Sequence, residues 1–196
     1  MDQAVRHPDS FMTVAEFLAW DPPDNRMWQL VDGTPVAMAP ASWWHNSLLG
    51  EVHGVIRSHL LDQGSPCMSV PTPGIVTPRH TDRNMRIPDL AVTCADPVNN
   101  QADTPKPILV VEILSPSNQA EIWINVWTYT MMPSVQEVIV FHTTSVRADM
   151  LRRRDDGTWP DDPERVVDGN PILQSIGLRT PLADLYRVTG LRRQDG

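Results

Sequence analysis

The stretch VVEILSPSN, residues 110–118, decides how the rest of the chain is read. Ile108 to Leu114 is apolar at nearly every position and runs into a Ser-Pro turn signal, which predicts a strand buried on both faces. Glu112 stands in the middle of that strand. A carboxylate inside a core is costly unless a metal, a cation or hydrogen-bond donors meet it. The group that meets Glu112 therefore bears on function as much as on fold. A metal shared with a second carboxylate is one answer, and a buried arginine such as Arg86 is another.

Outward from this strand the chain alternates helix and strand. TVAEFLAW (13–20) predicts a short helix, with Thr13 and Glu16 placed as a capping box. MWQLV and TPVAMA flank Asp32-Gly33, the signature of a two-residue hairpin turn. From Ser42 to Gly64, Leu48, Leu49, Val52, Val55, Ile56 and Leu60 recur at helical spacing, with Ser42 as cap and Gly64 as stop. Strands follow at Cys67–Val70, Gly74–Thr77, Asp89–Cys94 and Ile108–Leu114. A helix over Glu121–Met132 is stopped by Pro133, VQEVIVFH (135–142) is a strand, and VRADMLRRR (146–154) pairs with it. A small helix near Leu182–Tyr186 closes the pattern. The order gives an α/β (α+β) fold with helices flanking a mixed central sheet. Residues 11–190 are expected to form one domain after a flexible N-terminus of residues 1–10.

Composition narrows the function classes. With a net charge of −8, the chain is not built to coat nucleic acid by bulk electrostatics. No apolar run approaches a membrane span, and MDQAVRHPDS lacks a basic-then-apolar signal pattern. The two cysteines, Cys67 and Cys94, are too few for a disulfide framework or a structural zinc site, so a reducing cytoplasm is the expected location. Lys106 is the only lysine beside fifteen arginines. Arg152, Arg153 and Arg154 are expected to solvate a strand edge.

Asp89, in RIPDLAVTC, opens the strand that precedes the Glu112 strand. Consecutive strands are usually neighbours. Two carboxylates on adjacent strands make a hard-oxygen site suited to Mg²⁺ or Mn²⁺, to which the Ile113 carbonyl can add a ligand. His45, in the first turn of its helix, is either a packing residue or a phosphate contact. Trp43 and Trp44 beside it are of a type that stacks on bases. Trp123 and Trp127, four apart, mark a helix face for core or subunit packing, and a homodimer is the expected assembly.

The chain resembles the Uma-type restriction-endonuclease family of the PD-(D/E)XK nuclease superfamily. The likeness is carried by MTVAEFLAW, QLVDGTPVAMAP, the His45 helix, IPDLAVTC, VVEILSPSN, YTMMPSVQEVIVF and SIGLRTPLADLY, across residues 12–186. It implies a restriction-endonuclease-like αβββαβ core and Mg²⁺-dependent cleavage of DNA phosphodiesters. Asp89 and Glu112 match the family's metal ligands, and Ser115, Pro116 and Ser117 match its strand-to-helix turn. Two positions depart from the pattern: Gln29 stands where relatives carry a glutamate, and Asn125 where they carry a helix lysine. A lysine there would orient the attacking water and offset transition-state charge. Slow chemistry, or none, is thus expected; Asn125→Lys with Gln29→Glu is expected to cleave at least about tenfold faster than the parent, whereas a lysine at 125 alone, facing the neutral Gln29, is poorly compensated and expected to destabilise the fold. The alternative is a catalytically impaired nuclease fold kept as a binding or assembly module.

Overall fold

The structure is a computed structural model, and it describes residues 11–96, 102–116 and 118–191. The expected loose N-terminus and Ser117 lie outside the described residues. Helix α1 (Val14–Leu18) has the predicted capping box: Thr13 accepts from the Glu16 backbone, and Glu16 accepts from the Thr13 backbone. Strands β1 (Trp28–Val31) and β2 (Thr34–Ala37) form the hairpin, with Asp32 and Gly33 at φ 46° and 81°. Both turn residues need positive φ, which glycine tolerates best and aspartate better than most.

Helix α2 (Trp43–Asp62) is capped by Ser42, whose Oγ accepts from the His45 N–H. It is followed by β3 (Met68–Pro71), β4 (Ile75–Val76), β5 (Met85–Arg86), β6 (Leu90–Thr93) and β7 (Pro107–Leu114). After α3 (Gln119–Thr130) come β8 (Glu137–His142), β9 (Ala148–Arg152), β10 (Glu164–Val166), β11 (Ile172–Leu173), β12 (Leu178–Arg179) and α4 (Leu182–Leu185). The main sheet has six strands in the order β10-β9-β8-β7-β6-β3. Only β7 and β8 run parallel, joined through α3, so the sheet is mixed as expected. The hairpin belongs instead to a second sheet, β2-β1-β5-β4.

Side-chain alternation along β7 splits the core in two. Leu109, Val111 and Ile113 pack with Leu48, Val52, Ile56 and Leu60 of α2. Val110 and Leu114 pack with Ile122, Val126 and Tyr129 of α3. The sheet is thus sandwiched, and Glu112 shares the alternation of the α3 face. No helix among the described residues is long and apolar enough to cross a membrane.

Three expectations are corrected. Cys67 and Cys94 are joined in a disulfide, because the β3–β6 register, with Met68 opposite Thr93, carries the two flanking cysteines together. The arginine run solvates no edge, since β10 covers β9. Arg152 instead binds Glu137 and the Ile172 carbonyl, Arg153 gathers the Thr130, Met132 and Val135 carbonyls, and Arg154 binds Thr158 and the Trp159 carbonyl. The outward apolar stripe of α3 is Ile124 and Trp127, continued by Met131 at its C-cap, whereas Trp123 is half-buried against the core.

Candidate active site

The pairing of Leu90 with Val111 fixes the two acids. One step further along each antiparallel strand stands Asp89 and then Glu112, so the same register that builds the sheet sets the two carboxyls side by side. Asp89 is anchored at both oxygens: Oδ2 accepts from the Ile113 backbone N–H at 2.7 Å, and Oδ1 lies 3.1 Å from His45 Nε2. Glu112 is almost wholly enclosed, and its Oε1 accepts from the Tyr129 hydroxyl at 3.0 Å. The alternative partner, Arg86, is not joined to Glu112. It is buried beside the charges of Asp32 and Glu121, and burial lowers its pKa.

Asp89, Glu112, His45 and Asn125 open onto one cavity of about 710 Å³. Asn125 is buried on the α3 face that also carries Glu121 and Tyr129, spaced four residues apart. Gln29 is not among the cavity-lining residues. It is buried in β1, and its Nε2 donates to Glu121 Oε1 at 2.7 Å, while its own Oε1 is enclosed with no partner. Sequence reasoning missed both Glu121 and Tyr129. Their helical spacing from Asn125 was the signal available.

Burial raises the Glu112 pKa well above the ordinary carboxylate range, and the Asp89 charge raises it further; the Tyr129 hydroxyl acts in the opposite sense. Burial and then Glu112 likewise push the Tyr129 phenol up. For His45, burial disfavours the imidazolium, but the hydrogen bond and charge of Asp89 outweigh it and the net shift is upward. A folded-state carboxyl pKa above the unfolded value of about 4.3 means that the native state binds the proton more tightly. Its contribution is complete below the unfolded pKa and is lost as pH rises through the folded one. Without metal, the parent should therefore lose stability relative to Glu112→Gln as pH rises from about 5 to about 8, read by urea unfolding in EDTA. Parallel pH profiles would show that the Glu112 carboxyl is not perturbed.

The donors that line the cavity, the Asp89 and Glu112 carboxyls, are hard oxygens of the kind a divalent cation takes, whereas Ile113 is fully buried and is not among the lining residues. Among the described residues no cluster of three or more His, Cys, Asp or Glu side chains forms a metal cage.

A family model, Uma2, described as "Putative restriction endonuclease", matches residues 14–180. The chain is 29% identical over 175 residues to "Uncharacterized protein slr1290" of Synechocystis sp., covering 88% of this chain and 90% of that protein. Its fold is similar to the crystal structure of a "putative nuclease belonging to DUF820" from Anabaena variabilis ATCC 29413. The TM-score is 0.72 at 17% identity, over 91% of this chain and 99% of the other.

Proposed function

From a chain that belongs to the Uma2 family, with the restriction-endonuclease-like fold that its sequence pattern implies, we propose a metal-dependent endonuclease that hydrolyses DNA phosphodiester bonds. The observation that carries the reading is the buried, side-by-side placement of Asp89 and Glu112 at the floor of a cavity wide enough to admit a substrate. Asp89 and Glu112 are the residues that would hold Mg²⁺ or Mn²⁺. The ion, when bound, supplies Lewis acidity toward a phosphoryl oxygen and lowers the pKa of water.

The chain's own groups do the positioning. The Ile113 N–H and His45 lock Asp89, and the Tyr129 hydroxyl orients Glu112. The Asn125 amide offers a neutral hydrogen bond to the attacking water or to a phosphoryl oxygen. Gln29 acts indirectly, by holding Glu121 on the cavity wall. With no lysine among the lining residues, transition-state charge is offset less than a cation would allow, and turnover is slow.

The test is nicking of supercoiled plasmid, with Mn²⁺ binding followed by calorimetry. Glu112→Ala should lower nicking by about a hundredfold or more, equivalent to about 2.7 kcal/mol of barrier. Metal binding without Glu112-dependent nicking would overturn the enzyme and leave a binding module.

This reading places the protein in the cytoplasm, with the Cys67–Cys94 cross-link as a local tether between β3 and β6 and not part of a disulfide framework. It also includes a homodimer. Ile124, Trp127 and Met131 recur at helical spacing and are 62%, 40% and 47% exposed, a stripe suited to meeting its own copy. Light scattering at micromolar concentration should give twice the chain mass, and a monomer mass would remove the dimer.

A further inference from the structure

The cavity has a partly apolar lining and is poor in cations. Met38, Trp44, Leu49 and Ile87 line its walls, and Asp89, Glu112 and Asn125 lie toward its floor. Glu112 is only 2% exposed and Asn125 5%, so reacting atoms must come down to them. Arg26 is the one arginine among the lining residues, and Asp24 already holds it at 2.7 Å. Three acids share the same lining.

These features disfavour an intact duplex. DNA is a stiff rod with a persistence length of about 50 nm, and its phosphates are normally bound by neutralising lysines and arginines. This cavity offers neither a flat basic track nor room for a rod to descend. It does offer an aromatic wall: Trp44 is 43% exposed and braced edge-on by Trp43 at 4.6 Å between ring centroids. Its volume falls within the roughly 300–1,000 Å³ of small-molecule pockets. Stacking on an aromatic wall is how unpaired bases are held without many phosphate contacts.

We infer that the cavity takes one unpaired nucleotide, its base seated against Trp44 and its phosphodiester lowered to Asp89 and Glu112. The substrate class is single-stranded or locally unpaired nucleic acid. The inference rests on the nuclease reading above. It predicts binding driven by stacking, with a shallow dependence on salt.

The experiment uses the whole chain with Mg²⁺ chelated, so that no strand is cut. Labelled oligonucleotides of about twelve residues, near the usual single-strand site sizes, are titrated by fluorescence anisotropy. The arms are single-stranded DNA, RNA of the same sequence, and duplex DNA. Either single strand should bind at least about tenfold tighter than the duplex, a difference of about 1.4 kcal/mol. Its log affinity should fall against log salt with a slope shallower than about −2, fewer than about three phosphates neutralised. Trp44→Ala should weaken single-strand binding by about tenfold, within the range of one lost stacking contact, while Trp44→Phe keeps most of it. Leu61→Ala, 61% exposed on α2 and outside the cavity lining, should change little.

The DNA and RNA arms identify the source of the nucleotide. Duplex bound as tightly as both single strands, or Trp44→Ala at parental affinity, overturns the inference. The strand preference is read on the unmodified chain, so a poorly folded variant cannot mask it. Single-strand preference without Glu112-dependent cleavage, in Mg²⁺, of either the single-stranded oligonucleotide or the plasmid removes the nuclease and keeps the pocket. Glu112-dependent nicking with duplex preferred removes the pocket and keeps the nuclease.

Discussion

Asn125→Lys alone should raise plasmid nicking in Mg²⁺ at least about tenfold, about 1.4 kcal/mol of transition-state stabilisation. Asn125 is buried on the α3 face that borders Glu112, so a cation there lies close to the developing charge. Sequence reasoning expected that such a lysine would need a new glutamate at position 29 to compensate it. The structure removes that need. Glu121 stands one helical turn before position 125 and lines the same cavity, the favourable order for a glutamate–lysine pair. Glu112 and Asp89 lie beyond it. Rates are compared with Glu112→Ala in the same background, and melting temperatures report folding. A folded variant with parental nicking would mean that the missing cation does not limit the chemistry.

Gln29→Glu should do harm, not good. It would set a second carboxylate at 2.7 Å from Glu121 in place of an amide donor, at a position 1% exposed. Breaking this half-buried hydrogen bond and placing a like charge at the enclosed position 29 should cost about 2–4 kcal/mol. In a chain of this size that lowers the melting temperature by about 4–16 °C. The loss should shrink at acid pH, where one of the two carboxyls takes up a proton. Adding Glu121→Gln reverses the polarity of the hydrogen bond and should recover most of the loss. A double-mutant cycle by chemical denaturation measures the coupling. Additive effects would show that the two side chains do not interact.

What could be read from the sequence was local or periodic. The β7 run, the Thr13–Glu16 capping box and the Asp32-Gly33 turn each follow from neighbours within a few residues. The Asp89–Glu112 juxtaposition was also within reach, because it needs only that two successive strands pair. The Gln29–Glu121 bond was not: the partners are 92 residues apart, and nothing in either neighbourhood names the other. Strand β5 was missed because two residues, Met85 and Arg86, are too short to show alternation. The cysteine pair was misread for a related reason. Two thiols carry no framework signal, and only the β3–β6 register reveals that they flank the same ladder.

That same cross-link bears on how copies of the chain can meet. β3 is one rim of the six-stranded sheet, and its open backbone groups are of the kind that recruit a strand from another molecule. Here the rim is four residues long, ends in Pro71, which has no N–H to offer, and is tethered beside its start through Cys67. The opposite rim, β10, has only three residues. Neither border invites strand addition or runaway fibre growth. Self-association is thereby steered away from backbone pairing and toward side-chain contacts on the helical layers, where a closed, countable assembly can form.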